Sequence, residues 1–276
     1  MRNLDPKVVQ SFGQEWRRFD HARTAEAEQA EIFESYFGDF PWSKLPPHAA
    51  GFDLGCGSGR WALFVAPRVG TLHCIDASAA ALEVARAKLV AFPNCQFHLA
   101  SVEAIPLEDG SADFGYSLGV LHHVPDTASG LAHCVRKLKP GAPFLLYLYY
   151  AFDNRPWWFR RLWQLSNLGR IAISRLPFGL KSLGCEMIAA LVYWPLARLA
   201  RLLERTGVSV DSFPLSAYRK RSFYQMRNDS LDRFGTPLER RFTKMEMQKM
   251  MESCGLEKIS FRSFPYWCAL GYKHAN

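Results

Sequence analysis

The segment Phe52-Asp53-Leu54-Gly55-Cys56-Gly57-Ser58-Gly59-Arg60 limits what this chain can fold into more than any other stretch. It follows a short apolar run, 50–54, and opens a helical pattern that extends from about Arg60 to Ala66. Three glycines at alternate positions let the backbone turn tightly and let a bulky ligand approach it, because no side chain stands between. The spacing is GxGxG and not the GxGxxG of a dinucleotide pyrophosphate turn. Twenty-one residues after Gly55, Asp76 ends a second apolar run, 71–75. A carboxylate at the end of that strand can accept both hydroxyls of a ribose.

The rhythm continues through residue 150. Ser78 is a plausible cap for an Ala-rich helix, 78–90. Strands are expected at 95–99, 114–118 and 144–150, with a helix over 127–138 closed by Lys139-Pro140-Gly141. Strands alternating with helices at this spacing predict right-handed crossovers and a parallel sheet covered on both faces. Ahead of it, residues 7–37 read as one or two amphipathic helices. After it, 151–242 is an aromatic and basic stretch broken by Pro156, Pro177, Pro195 and Pro214. A helix over 243–253 follows, then strands at 256–261 and 266–272 about a turn at 263–265. The expected organisation is an N-terminal helical cap (1–48), a ligand-binding core (49–150), a helical lid or substrate insert (151–242) and the core's final helix and closing strands (243–276). An insert leaving the carboxyl edge of such a sheet stands where ligands bind.

Composition narrows the class. An apolar fraction of 49% over 276 residues supplies a large core without staples. The seven cysteines form no CxxC pair and read as reduced thiols, and no metal site is expected. The N-terminus lacks the h-region of a secretory signal. The best spanning candidate, 187–197, is short and contains Pro195, so a soluble, cytoplasmic chain is expected. Residues 151–210 carry nine Lys/Arg against Asp153, Glu186 and Glu204, and hold four of the eight tryptophans. Arg, Trp and Leu in one stretch suit a membrane surface or an anionic substrate better than a nucleic-acid duplex.

The glycine loop, Asp76 and three later elements together resemble the class I S-adenosylmethionine-dependent methyltransferases of the small-molecule type. The later elements are Ser101-Val102-Glu103-Ala104-Ile105-Pro106, the run from Asp113 through Leu118 to His122-His123-Val124-Pro125-Asp126, and Leu138-Lys139-Pro140-Gly141. The resemblance covers 49–150 and resumes at 243. It implies a Rossmann-like, doubly wound α/β fold: a mostly parallel seven-stranded sheet with a C-terminal antiparallel strand and a mostly helical insert. It also implies S-adenosyl-L-methionine as cofactor, with Asp53, Gly55, Cys56, Gly57 and Gly59 in the loop against the methionine part. Asp76 and Ala77 fall at the ribose, and Ser101, Val102, Glu103 and Leu118 around the adenine. The family's adenine turn usually begins with Asp; Ser101 weakens that side-chain contact to a hydroxyl.

Methyl transfer from a sulfonium needs in-line positioning and exclusion of water, and a hydroxyl acceptor adds a need for a base. His123 and His122, which end the fourth strand, are the candidate catalytic groups; a histidine matching His123 lines the reaction site in similar small-molecule enzymes. Backbone bonding is the bland alternative for both. Tyr218, Arg221, Tyr224 and Arg227 are candidates to clamp a carboxylate or phosphate of the acceptor, against a solvated basic face. Trp16 and Tyr36 are candidates to close over the cofactor, against an ordinary apolar helix face. The expected reaction is methylation of a small molecule, on a hydroxyl of an anionic, sugar-like, lipid-linked or secondary-metabolite acceptor. N- or C-methylation, or cofactor binding without transfer, are the alternatives. A nucleic-acid substrate is not expected, because the Asn/Asp-Pro-Pro-aromatic tetrapeptide of base amino-methylases is missing after the fourth strand. Peripheral membrane contact through the insert is compatible with its composition, and the acceptor, oligomeric state and pathway stay open.

Overall fold

The computed structural model describes residues 3–19, 25–262 and 267–275. Two helices lead the chain, α1 (Pro6–Arg18) and α2 (Glu26–Phe37). Asp5 caps α1 by accepting the Lys7 N–H at 2.9 Å, and Pro6 sits in the first turn, where its missing N–H has no helical partner to lose. The alternating region follows as β1 (Ala50–Leu54), α3 (Ala62–Val65), β2 (Thr71–Asp76), α4 (Ala79–Lys88), β3 (Cys95–Leu99), β4 (Phe114–Leu118), α5 (Thr127–Lys137) and β5 (Pro143–Tyr147). Then come α6 (Trp157–Ser174), α7 (Phe178–Ile188), α8 (Trp194–Arg205), α9 (Phe223–Gly235), α10 (Lys244–Ser253), β6 (Leu256–Arg262) and β7 (Cys268–Lys273).

The sheet has the order β3-β2-β1-β4-β5-β7-β6. β1 to β5 pair in parallel, and β7 runs antiparallel to both β5 and β6. This is the expected fold. The order reverses between β1 and β4, so the connections from their carboxyl ends diverge and leave a crevice. β5 stops at Tyr147, three residues short of the sequence expectation. Tyr147 pairs with Leu118, the last residue of β4, and with Cys268, the first of β7, and among the described residues neither ladder continues beyond it. The turn expected at 263–265 lies outside the described residues.

Alternate side chains of each strand feed two cores on opposite faces of the sheet. Phe114 and Tyr116 of β4 join Phe33, Phe37 and Phe40 on one face. Phe52 and Leu54 of β1 join Leu121, Leu131, Phe144 and Met247 on the other. Ser78 caps α4 by accepting the Ala81 N–H, and Thr243 with Glu246 forms a capping box that starts α10.

The chain groups into two compact units. The sheet unit comprises Met1–His21, Gln29–Tyr150 and Leu238–Asn276; the second comprises Ala22–Glu28 and Ala151–Pro237. Residues 238–242 group with the sheet because the Arg240 N–H donates to the His122 carbonyl at 3.0 Å and Phe242 bridges Tyr150.

The second unit is helical. Arg170, buried in α6, donates to the carbonyl of Thr236 at 2.9 Å and satisfies the end of α9. Pro195 does not break the chain there, contrary to the sequence expectation. A π-turn, Ala189–Tyr193, joins α7 to α8, and Phe178–Arg205 is one 28-residue helix, long and apolar enough by length and composition to cross a membrane. Proline lacks an N–H and its ring collides with the carbonyl four residues back in an α-helix; a wider i→i+5 turn just before it makes the room.

Candidate active site

The loop after β1 is held down by its own backbone. The N–H groups of Gly55 and Cys56 both donate to the Ile75 carbonyl, at 2.7 and 3.1 Å. Gly55 has φ +75°, and a Cβ there would lie 2.3 Å from the Val120 side chain. Gly57 has φ +52°, and a Cβ there would lie 2.8 Å from the Trp16 ring. Glycine is therefore required at both, for conformation and for room.

Asp76 closes β2 beside this loop. Its Oδ2 accepts the Gly57 N–H at 2.9 Å, and its Oδ1 accepts the Ser78 N–H at 2.8 Å. Burial pushes its carboxyl above the ordinary carboxylate range, and the N–H groups of Ser78, Gly57 and Ala77 pull it back. Each carboxylate oxygen has a second lone-pair direction, so the group is fixed in orientation and still able to accept two hydroxyls.

These residues edge an open cleft at the carboxyl ends of β1, β2 and β4. Of the sequence-predicted residues, Gly55, Asp76, Ala77, Val102, Leu118 and His123 line it. Leu4, Val8, Val9, Phe12 and Trp16 of the N-terminal segment form its other wall. Trp16 thus reaches the cleft, whereas Tyr36 packs against Trp61 and Tyr147, each at 5.2 Å. Cys56 turns its thiol into the core beside Cys74. Glu103 accepts the Asn3 N–H, which ties the adenine-type turn to the N-terminal segment. Asp53 is buried on β1; burial drives its carboxyl up to about 8, the Tyr116 hydroxyl pulls it down, and the charge of Asp76 raises it further. Asp53 is a neutral acid near pH 7, packed behind the loop.

The two histidines separate into different roles. His123 Nδ1 stands 2.6 Å from the Leu238 carbonyl oxygen. A carbonyl only accepts, so Nδ1 carries a proton, and whenever the ring is neutral its lone pair is on Nε2. The Phe12 ring packs against this imidazole with centroids 5.0 Å apart. His122 is fully buried, accepts the Tyr149 N–H at Nδ1 (3.3 Å) and stacks on the Tyr149 ring at 3.8 Å. Burial holds its pKa well below the ordinary histidine value, with the charges of His123 and Arg241 adding to the effect. His122 is a neutral ring.

Sequence reasoning noted Glu239 and Arg241 within the basic cluster but missed Tyr149 and its grouping with them. The Arg241 guanidinium lies 5.0 Å from the Tyr149 ring centroid, and its Nε donates to Glu239 at 2.7 Å. The signal was present in Tyr149-Tyr150 and Glu239-Arg240-Arg241, but about 90 residues separate the two segments, which meet through the Tyr150–Phe242 bridge and the Arg241 hydrogen bond to the Tyr150 carbonyl. Tyr218, Arg221, Tyr224 and Arg227 all fall in the helical unit. There Arg227 pairs with Glu186 at 2.6 Å, Tyr218 packs on Tyr193 at 5.2 Å, and the Arg221 carbonyl accepts from Arg198 at 3.1 Å.

The residues present fit S-adenosylmethionine. An oriented carboxylate serves the ribose, the side-chain-free turn at Gly55 admits a chain close to the backbone, and Val102 and Leu118 supply apolar walls for a base.

Comparison with known proteins agrees. A family profile described as a methyltransferase domain matches residues 52–146. A ubiquinone biosynthesis O-methyltransferase from Paracidovorax citrulli is 35% identical over 106 residues, 37% of this chain and 43% of the relative. A 2-phytyl-1,4-naphtoquinone methyltransferase from Trichormus variabilis is 33% identical over 138 residues, 46% of this chain and 58% of the relative. The chain thus spans about half the length of these curated relatives. A chain from the Haloferax volcanii complex of the Trm112 methyltransferase activator superposes with TM-score 0.51 at 14% identity, over 95% of this chain and 97% of that one, a likeness of fold. Loop, acid, strand order and profile converge: residues 52–146 match a methyltransferase domain, set in a sheet of the order that fold uses.

Proposed function

We propose that the protein methylates a hydroxyl of a small-molecule acceptor, with His123 as the base. The observation that carries this is the 2.6 Å bond from Nδ1 to the Leu238 carbonyl in a residue that lines the cleft. S-adenosylmethionine, when bound, supplies a methyl group on a positively charged sulfur that is also the leaving group. Asp76 would hold the ribose hydroxyls, and the turn at Gly55 would admit the methionine portion. His123 Nε2 accepts the acceptor's hydroxyl proton as its oxygen turns nucleophile. The Leu238 carbonyl then stabilises the imidazolium through Nδ1–H, and Phe12 and Trp16 limit access of water.

One matched relative is named an O-methyltransferase of ubiquinone biosynthesis and another a methyltransferase of a 2-phytyl-1,4-naphtoquinone; the first name supports a hydroxyl acceptor, and both support a ring of the quinone type. That supports an acceptor of the same chemistry here. The test is formation of S-adenosylhomocysteine when the full chain is given S-adenosylmethionine and a panel of hydroxylated aromatic acceptors, beside amine acceptors of similar size. Turnover with a hydroxyl acceptor that collapses in His123→Ala supports the proposal. Turnover confined to amines, or product formation indifferent to His123, overturns it.

A further inference from the structure

The 28-residue helix Phe178–Arg205 is built inside out. Its buried positions are Lys181, Ser182, Cys185, Ala189, Tyr193, Ala197 and Ala200, mostly small or polar. Those up to Tyr193 pack on α9, where the Ser230 hydroxyl donates to the Cys185 carbonyl at 2.9 Å and Arg227 pairs with Glu186, and the α8 positions pack beside the 216–218 turn. Its large apolar side chains point the other way: Leu180, Leu183, Met187 and Leu191 are 58, 56, 53 and 69% exposed. Their spacing of three, four and four residues sets them in one stripe. On α6, Leu165 and Leu168 are 67 and 66% exposed, and Trp157 is 72% exposed.

This exposure is confined to one part of the molecule. Of the 19 exposed large hydrophobic residues among the described residues, 16 lie in the helical unit and three in the sheet unit. Charge divides along the same boundary. Residues 151–237 hold 14 Lys/Arg against six Asp/Glu, a net +8 equal to that of the whole chain, so the remainder is neutral. Arg160, Arg161, Arg175, Arg201 and Arg205 are exposed among the leucines.

We infer that the helical unit docks on an anionic lipid bilayer, lying in its surface with the leucine stripe among the acyl chains and the arginines at the phosphates. An apolar stripe of this kind is stable in water only if covered, and arginine with tryptophan at its margin matches the headgroup level. A second copy of the chain is the poorer occupant, because it would bring two +8 surfaces together. In-plane docking is favoured over spanning because Lys181, Glu186, Arg198 and Arg201 all belong to the helix, and its inner face is bound to α9, which carries Asn228, Asp229 and Asp232. The inference does not rest on methyl transfer.

The test is flotation of the full chain with phosphatidylcholine vesicles, with and without phosphatidylglycerol, at low and high salt. The wild type is expected to float with the anionic vesicles and to be released by salt. Leu183→Glu/Leu191→Glu is expected to weaken binding by at least about tenfold, since both buried apolar area and charge then oppose it. Arg160→Glu/Arg161→Glu is expected to weaken binding to anionic vesicles only. Helical circular dichroism and calorimetric S-adenosylmethionine affinity, read on the same variants, report folding and the cofactor site separately. Failure of the wild type to float, or equal flotation of the leucine variant, overturns the inference. So does a protein that only detergent releases, which would mean a spanning helix, or a dimer that the leucine variant splits without any vesicle binding. Salt-sensitive capture by polynucleotide in place of vesicles overturns it as well.

Discussion

The carbonyl of Leu238 lies 2.6 Å from Nδ1 of His123, across 115 residues of sequence. The segment that returns from the helical unit to the sheet thereby sets the tautomer of a histidine at the cleft. Replacing His123 removes the proposed base while leaving Asp76 and the glycine loop in place. His123→Ala is expected to lower turnover by about 10²- to 10⁴-fold with S-adenosylmethionine affinity changed little. The pH–rate profile is expected to lose its limb in the imidazole range. Single-turnover kinetics with calorimetry checks both, and near-normal turnover would reduce His123 to packing.

Asp76 anchors the opposite side of the same cleft. Asp76→Ala is expected to weaken S-adenosylmethionine at least tenfold, since a charge-assisted hydrogen bond contributes about 1.5–3 kcal/mol. Isothermal calorimetry on a variant with wild-type circular dichroism decides it. Unchanged affinity would remove Asp76 from the site.

His122 titrates in the unfolded chain but resists protonation when folded, because burial holds its pKa well below the ordinary value. The unfolded state therefore binds the extra proton as pH falls through the ordinary histidine range, about 6.5. Stability from this residue is complete above that pH and is lost below it, at up to about 1.4 kcal/mol per pH unit. His122→Phe keeps the stack on Tyr149 and removes the titration. Thermal melts between neutral and mildly acidic pH are expected to show a shallower decline for the variant. Parallel curves would contradict the assignment.

Asp53 has the opposite sign. Its folded pKa is raised to about 8, so the folded state keeps a proton that the unfolded state releases near its ordinary 3.8. Stability from Asp53 is complete below the unfolded value and declines as pH rises toward 8. Asp53→Asn imitates the neutral acid and is expected to become more stable than the wild type, most clearly in alkaline buffer. Chemical denaturation at pH 6 and pH 9 measures the difference, and an Asn variant that loses stability at both would show that the acid is needed charged.

Much of this was legible from local signals. The glycine loop, Asp76 at a strand end, Ser78 as cap and the Lys139-Pro140-Gly141 stop are short-range features whose physics is complete within a few residues. The parallel sheet followed from the alternation of strand and helix, and its seven strands with an antiparallel C-terminal one from the family resemblance. The role of α1 was less legible: its aromatic spacing indicated a helix, but nothing local indicated that Phe12 and Trp16 would line the cleft. The group of Tyr149, Glu239 and Arg241 depends on long-range contacts. Pro195 misled for a different reason. Its effect depends on whether the preceding turn is α or π, and sequence spacing alone does not distinguish them.

That π-turn has a geometric consequence of its own. Lys181, Cys185, Ala189, Tyr193 and Ala197 recur every four residues, whereas an α-helix turns in 3.6, so a row with this spacing advances around the cylinder by about 40° per step. Left uncorrected, the row would wind away from α9 within a few turns and carry its small residues into solvent. A wide turn at Ala189–Tyr193 rotates the chain backward against that drift and keeps the row in phase. Deleting one residue there would restore regular winding downstream, rotate Trp194–Arg205 by about 100° and turn its alanines away from the buried side.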